Sequence, residues 1–183
     1  VYKRQGGNRQ GWYVLVVRED ASRTVLRDLI APQMQRYVAQ VKAGEAPLNT
    51  INPSRVSAQQ IAQTQVPQTM LDNLTGAPVI LLVFVDLSVV ASFDSHLDRV
   101  GVISGASIYP FVWNILLAAR NEGLGGTLTT FAAGAEEEVK AHFSVPSELA
   151  LAAMIPMGQP VKQLTKLTRN PVADFVRKEH WNG

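Results

Sequence analysis

Residues 114–131 read NILLAARNEGLGGTLTTF. The run from Asn114 to Glu122 has the apolar spacing of a helix, and Gly123 ends it. Two more glycines, three threonines and an apolar anchor at Phe131 follow. A glycine just past a helix takes the left-handed conformation of a C-cap, which accounts for Gly123. It does not account for Gly125, Gly126 and the threonine run. Glycine permits close approach to the backbone, so these residues suit a ligand lying against backbone amides. A dinucleotide fingerprint is excluded. It needs its glycines after a strand and before a helix, and Leu128 stands where the third glycine belongs.

Outward from this stretch, strands and helices interleave. Upstream, the whole helix spans Ser104 to Asn121, and Pro110 is tolerated in its first turns if it starts near Ser107. Further upstream, Val79–Val85 is apolar throughout and reads as a strand buried on both faces. Trp12–Val17 is rich in β-formers and reads as another strand. A helix follows it to about Lys42, capped by Asp20 or Ser22, with Pro32 marking a kink or break. Gly44 to Gly76 is a long polar excursion with one short helix around Ala58 to Thr64. Excursions of that length often shape binding sites. Downstream, Glu136–Lys140 reads as a short solvent-facing helix. Leu149–Met157 reads as a third strand, ended by Pro156 and Gly158. The pattern is that of a layered α+β or α/β domain with a small sheet.

Composition narrows the function. The chain has 183 residues, 46% of them hydrophobic and only 17% charged. That suits one domain with a substantial core and surface buried against a partner. The net charge is +2, with basic residues scattered, so no nucleic-acid footprint is visible. The absence of cysteine excludes disulfides and thiolate chemistry. The longest apolar run, residues 79–85, is too short to span a bilayer, and no signal peptide is visible. A cytoplasmic protein is expected. His96, His142 and His180 lack ligand spacing, so no metal site is expected. GxSxG and Walker A motifs are absent.

Two other groups carry candidate chemistry. Gly6–Trp12 reads GGNRQGW. The amides of Asn8 and Gln10 could read the edge of a heterocycle, although a polar turn entering a strand accounts for them equally well. In the tail, Lys166 and Arg169, ahead of Asn170-Pro171, suit a phosphate, and they suit ordinary solvated surface as well.

The order of these signals is more specific than any one of them. A GGN-x-Q-x-W segment leads a strand. An apolar strand follows, then SIYPFVWNILLAARNEGLGGTLTTF, then a strand ending IPMGQP, then a basic residue in R-x-P. From about Gly6 to its end, the chain resembles the nitroreductase family of flavin enzymes. The resemblance implies a three-layer α+β homodimer with a small central mixed sheet flanked by helices. It also implies one FMN at each subunit interface. NADH or NADPH would reduce the flavin by a ping-pong scheme, and nitroaromatics, quinones or similar acceptors would reoxidise it. Carried onto these residues, Asn8 would bond the flavin's pyrimidine edge, with Arg9 and Gln10 close by. Leu128, Thr129 and Thr130 would lie along the ring and offer backbone N–H groups to N5 and O4. Arg169, with Lys166, would bind the phosphate. The excursion would shape the acceptor pocket.

The sequence departs from the family in three places, one being Thr129 or Thr130 where some relatives place an acidic residue near N5. The family's leading helix, with its R-x-x-R-type phosphate grip, has no counterpart here, and Lys3-Arg4-Gln5 stands where Ala-Pro-Ser is usual. Together with a start on Val1, this points to N-terminal truncation or to foreign residues at Val1–Gln5, with Arg4 the nearest substitute charge. Two rival functions follow: a specialised flavin-dependent oxidase or dehydrogenase of the same fold, and a non-catalytic flavin-binding scaffold.

Overall fold

The computed structural model describes residues 7–181. Arg4 and the Val1–Gln5 stretch lie outside the described residues. Four strands form one sheet: β1 (Trp12–Val17), β2 (Val79–Asp86), β3 (Gly125–Gly126) and β4 (Leu149–Gly158), in the order β1-β2-β4-β3. Every pairing is antiparallel, with Trp12 opposite Val85 and Asp86 opposite Leu149. A mixed sheet is thus replaced by an antiparallel one. The layered α+β architecture stands as expected.

Helices cover both faces. Among the described residues there are five: α1 (Asp20–Lys42), α2 (Ala58–Gln63), α3 (Gln68–Thr75), α4 (Tyr109–Asn121) and α5 (Glu136–Phe143). On one face, Ile80, Leu82 and Phe84 of β2 pack with Leu26, Ile30 and Met34 of α1 and Val139 of α5. On the other, Val83 and Val85 pack with Ile108 and Val112 at the start of α4. The uninterrupted apolar sequence of β2 is explained by this double burial.

The first helix is continuous through Pro32. Pro32 and Asp28, whose carbonyl loses its N–H partner there, are both exposed, so no break is required. Its N-cap residue is Glu19, with no side-chain cap, rather than Asp20 or Ser22. Asp20 instead pairs with Arg23, whose guanidinium also donates to the carbonyls of Arg18 and Pro78, at 3.0 and 2.9 Å. The excursion holds one more helix than expected. Met70, Leu71 and Leu74 of α3 pack beside the α1 side of the core.

A bulge in β4 joins the layers. Val83 pairs with Ala153 but Phe84 pairs with Leu151, so Ala152 is the extra residue. Its carbonyl accepts from the Tyr109 hydroxyl of α4 at 3.2 Å. On the other side, the Leu151 amide donates to the Glu136 carboxylate of α5 at 2.9 Å. The fifth helix is therefore not simply solvent-facing: Val139 is buried, and Lys140 is buried with Nζ donating to the Ser147 carbonyl at 2.8 Å. Pro156 lies inside β4 rather than ending it. Its carbonyl accepts from Thr127 on the β3 side, so its missing N–H falls where pairing is sparse.

Candidate functional site

The loop after α4 is built by three different constraints. Gly123 has φ +76° with no neighbour near its Cβ position, as a left-handed C-cap requires. Gly125 and Gly126 are glycine for another reason. A Cβ on Gly125 would sit 3.1 Å from Pro160, and one on Gly126 would sit 3.1 Å from Leu116 and 3.2 Å from Ile155. The close approach these two glycines permit is at least in part to their own chain.

Beyond them the backbone alternates. The amides of Thr127 and Thr129 donate to Pro156 and Met154, at 3.3 and 2.9 Å, and Met154 donates back to Thr129 at 2.8 Å. Ladder geometry turns the intervening residues the other way. Accordingly, the backbone N–H groups of Leu128 and Thr130 have no partner among the described residues. Two unpaired donors flank one that is engaged. Of the three amides expected to face a ring, that of Thr129 is held by the sheet, while those of Leu128 and Thr130 are left without a protein partner. The Leu128 side chain packs into the α4 side of the core, which fixes the loop's height over β4.

Asn8, Arg9 and Gln10 are exposed, just before β1. Asn8 and Gln10 both take positive φ, +49° and +55°, and the Gln10 amide donates to Asn8 Oδ1 at 3.4 Å. Gly11 anchors the turn by accepting from the Asp86 amide at 2.9 Å. A side chain on Gly11 would collide with Val89. Because β1 and β3 are opposite edges of the sheet, about 14 Å separates them at ordinary strand spacing. One chain therefore does not bring Asn8–Gln10 onto the Leu128–Thr130 loop. Lys166 and Arg169 lie on an exposed tail, where Arg169 donates only to its neighbouring Thr168 carbonyl.

The segment leading to α4 is braced by Asp94. Its buried carboxylate accepts from the amides of Val102 and Ile103 at 2.8 and 3.3 Å, and from Arg99 at 2.8 Å. The Val102 hydrogen bond, more than the Arg99 contact, holds its pKa down to about 2, against the opposing effect of burial. Trp12 then stacks on Phe111 with centroids 4.8 Å apart and donates to the Ser107 carbonyl at 2.7 Å, which sets α4 against β1.

The excursion, from which a pocket was expected, encloses with α1 a cavity of about 850 Å³, and sequence reasoning missed its lining: Arg36, Gln40, Glu45, Asn49, Asn52 and Arg55 among others. No local motif marks it, because its walls come from a helix and a loop that meet only on folding.

Comparison with known proteins agrees with this architecture. An iodotyrosine deiodinase bound to FMN and 3-iodo-L-tyrosine is 25% identical with a TM-score of 0.58, over 97% of this chain and 80% of that one. A BluB-like flavoprotein from Clostridium difficile 630 is 19% identical with a TM-score of 0.63, over 95% and 82%. The FMN- and NADPH-dependent nitroreductase NfnB from Sphigopyxis sp. strain HMH is 14% identical with a TM-score of 0.62, over 98% and 85%. The last two likenesses show a shared fold. No curated protein matches the chain in sequence. The profile of the Nitroreductase family matches residues 5–159, and with most of its length so matched the chain belongs to the nitroreductase family.

Proposed function

We propose that this protein is an FMN-dependent oxidoreductase that takes electrons from NADH or NADPH and passes them to nitroaromatic, quinone or similar acceptors by a ping-pong scheme. Family membership and the FMN-containing deiodinase likeness support the flavin. The observation that carries the reading is the pair of unpartnered N–H groups at Leu128 and Thr130. Bound flavin supplies the electron transfer itself. Fixed backbone donors there would meet the ring's N5 and O4 and favour negative charge on it without reorganising. Asn8, with Arg9 and Gln10 beside it, would hold the pyrimidine edge. Arg169 and Lys166 would hold the phosphate.

The separation of the β1 and β3 edges supports a shared site, with Asn8–Gln10 and the Leu128–Thr130 loop contributed by different copies of a homodimer. Exposed apolar surface supports the dimer. Trp113 and Leu117 on α4 are 60% and 53% exposed, and Phe175 and Trp181 in the tail are 64% and 81% exposed. Side chains of this size are seldom left uncovered together.

The deiodinase likeness favours a second reading, a specialised flavin enzyme of the same fold acting on one aromatic substrate. Steady-state turnover separates the two. The first reading expects NADH or NADPH oxidation that accelerates with a quinone or nitroaromatic, with parallel double-reciprocal lines. Flavin that NADH and NADPH fail to reduce would overturn it in favour of the second.

A further inference from the structure

The cavity between α1 and the excursion is a built site. Its acceptor groups are engaged by the chain itself. Gln40 Oε1 accepts from the Leu48 amide at 2.8 Å. The Glu45 carboxylate accepts from the Ser54 hydroxyl at 2.6 Å and the Arg55 amide at 2.8 Å. Asn49 Oδ1 accepts from the amides of Ile51 and Asn52, at 2.8 and 2.7 Å. These bonds fix the loop on the helix. Gln35 adds to them by donating to the Ala62 and Thr64 carbonyls.

What these bonds leave over is mainly a set of donors. Gln40 is 2% exposed, yet its amide nitrogen has no protein partner at the cavity wall. The amide nitrogen of Asn49 is likewise unengaged. The guanidinium groups of Arg36 and Arg55 make no close ion pair or hydrogen bond among the described residues, although the Arg55 charge lies near enough to Glu45 to attract its carboxylate. Two arginines against one glutamate leave the lining net positive. The Ser54 hydroxyl, then the Arg55 amide, hold Glu45 below the usual carboxylate range, so it stays a charged brace. Exposed arginines alone are ordinary surface. A glutamine only 2% exposed, whose amide N–H has no protein partner and is left to solvent at the cavity wall, adds a fixed donor to them.

We propose that this cavity binds a small organic molecule through its oxyanion, a carboxylate or a phosphate. Arg36 and Arg55 are the charge partners, and Gln40 and Asn49 orient the group by their amide N–H. Guanidinium and amide donors match oxyanions in geometry as well as charge. The volume is that of a small-molecule site. Helix α1, which forms one wall of the cavity, also contacts the residue after the threonine run. Tyr37, next to Arg36, meets Phe131 edge-on with centroids 5.3 Å apart, and Phe131 directly follows Thr130. The binding claim stands apart from the redox reading.

The test is calorimetric titration of the full chain, saturated with FMN so that a flavin phosphate site is filled, with benzoate, phenyl phosphate and benzyl alcohol. A chain that takes up no flavin is titrated as it stands, so failure of the redox reading does not obscure the result. One anion is expected to bind about tenfold tighter than the neutral alcohol, and which one identifies the group. Arg36→Gln and Arg55→Gln, both at exposed positions that preserve folding, should each weaken it about fivefold. Arg27→Gln, outside the cavity, should not. The proposal falls if neither anion binds, if the alcohol binds equally, or if Arg27→Gln weakens binding as much as the cavity variants do.

Discussion

Replacing Gly126 by alanine separates two explanations of the glycine-rich loop. The new Cβ would lie 3.1 Å from Leu116 Cδ2, 3.2 Å from Ile155 Cγ2 and 3.3 Å from the Pro156 carbonyl oxygen. The Leu116 methyl is the end of a flexible, partly exposed side chain and can move. Ile155 is fully buried and its Cγ2 is tied close to the backbone, while the Pro156 oxygen belongs to β4. Two of three contacts therefore resist, which puts the overpacking cost at about 1–2 kcal/mol, in the lower part of its usual range. Restricting the unfolded chain offsets about 0.5 kcal/mol of this. The net loss is about 0.5–1.5 kcal/mol, a fall in Tm of roughly 1–6 °C for a chain of this length. Thermal unfolding followed by circular dichroism reads the Tm, and flavin fluorescence quenching reads FMN affinity. The variant should melt lower and bind FMN within about twofold of the parent, because the glycine accommodates the protein's own side chains. An unchanged Tm with FMN affinity lost would refute this and return Gly126 to the ligand.

Three other outcomes are expected. Arg169→Ala should weaken FMN binding by about 1.5–3 kcal/mol if its guanidinium meets the phosphate; unchanged affinity in a fluorescence titration removes it from the site. Tyr109→Phe should lower stability by about 0.5–1 kcal/mol in urea unfolding, since water reaches the half-exposed hydroxyl's position; no change would mean the Ala152 carbonyl needs no protein donor. The Asp94 pKa is depressed from 3.8 to about 2, so its contribution is complete above the unfolded value and is lost as pH falls from about 4 towards 2. The stability advantage of the parent over Asp94→Asn should shrink across that window; an advantage that persists at pH 2 would place the effect elsewhere.

Much of the fold was legible. The apolar run of β2, the β-rich start at Trp12 and the long helix to Lys42 each carry a pattern that tertiary packing preserved. The third helix did not, because its apolar residues Met70, Leu71 and Leu74 fill barely two turns. The β4 bulge left a trace that alternation alone does not interpret. Leu149 and Leu151 face the α1 side and so does Met154, so the parity changes at the doubled alanine 152–153. The loop's glycines illustrate the harder limit. GLGG announces a close approach without saying to what, and only the fold brings Pro160, Leu116 and Ile155 up to it. The cavity is less legible still. Gln40 meets the excursion only on folding, where the Leu48 amide donates to its side chain.

The visible absorption spectrum of the purified chain with added FMN, followed by NADH without oxygen, bears most directly on the central claim. Flavin bands retained through gel filtration at one FMN per chain, on a dimer, and bleached by NADH or NADPH are the predicted result. A chain that passes through the column colourless and monomeric after FMN addition would contradict both the shared site and the flavin chemistry assigned to it.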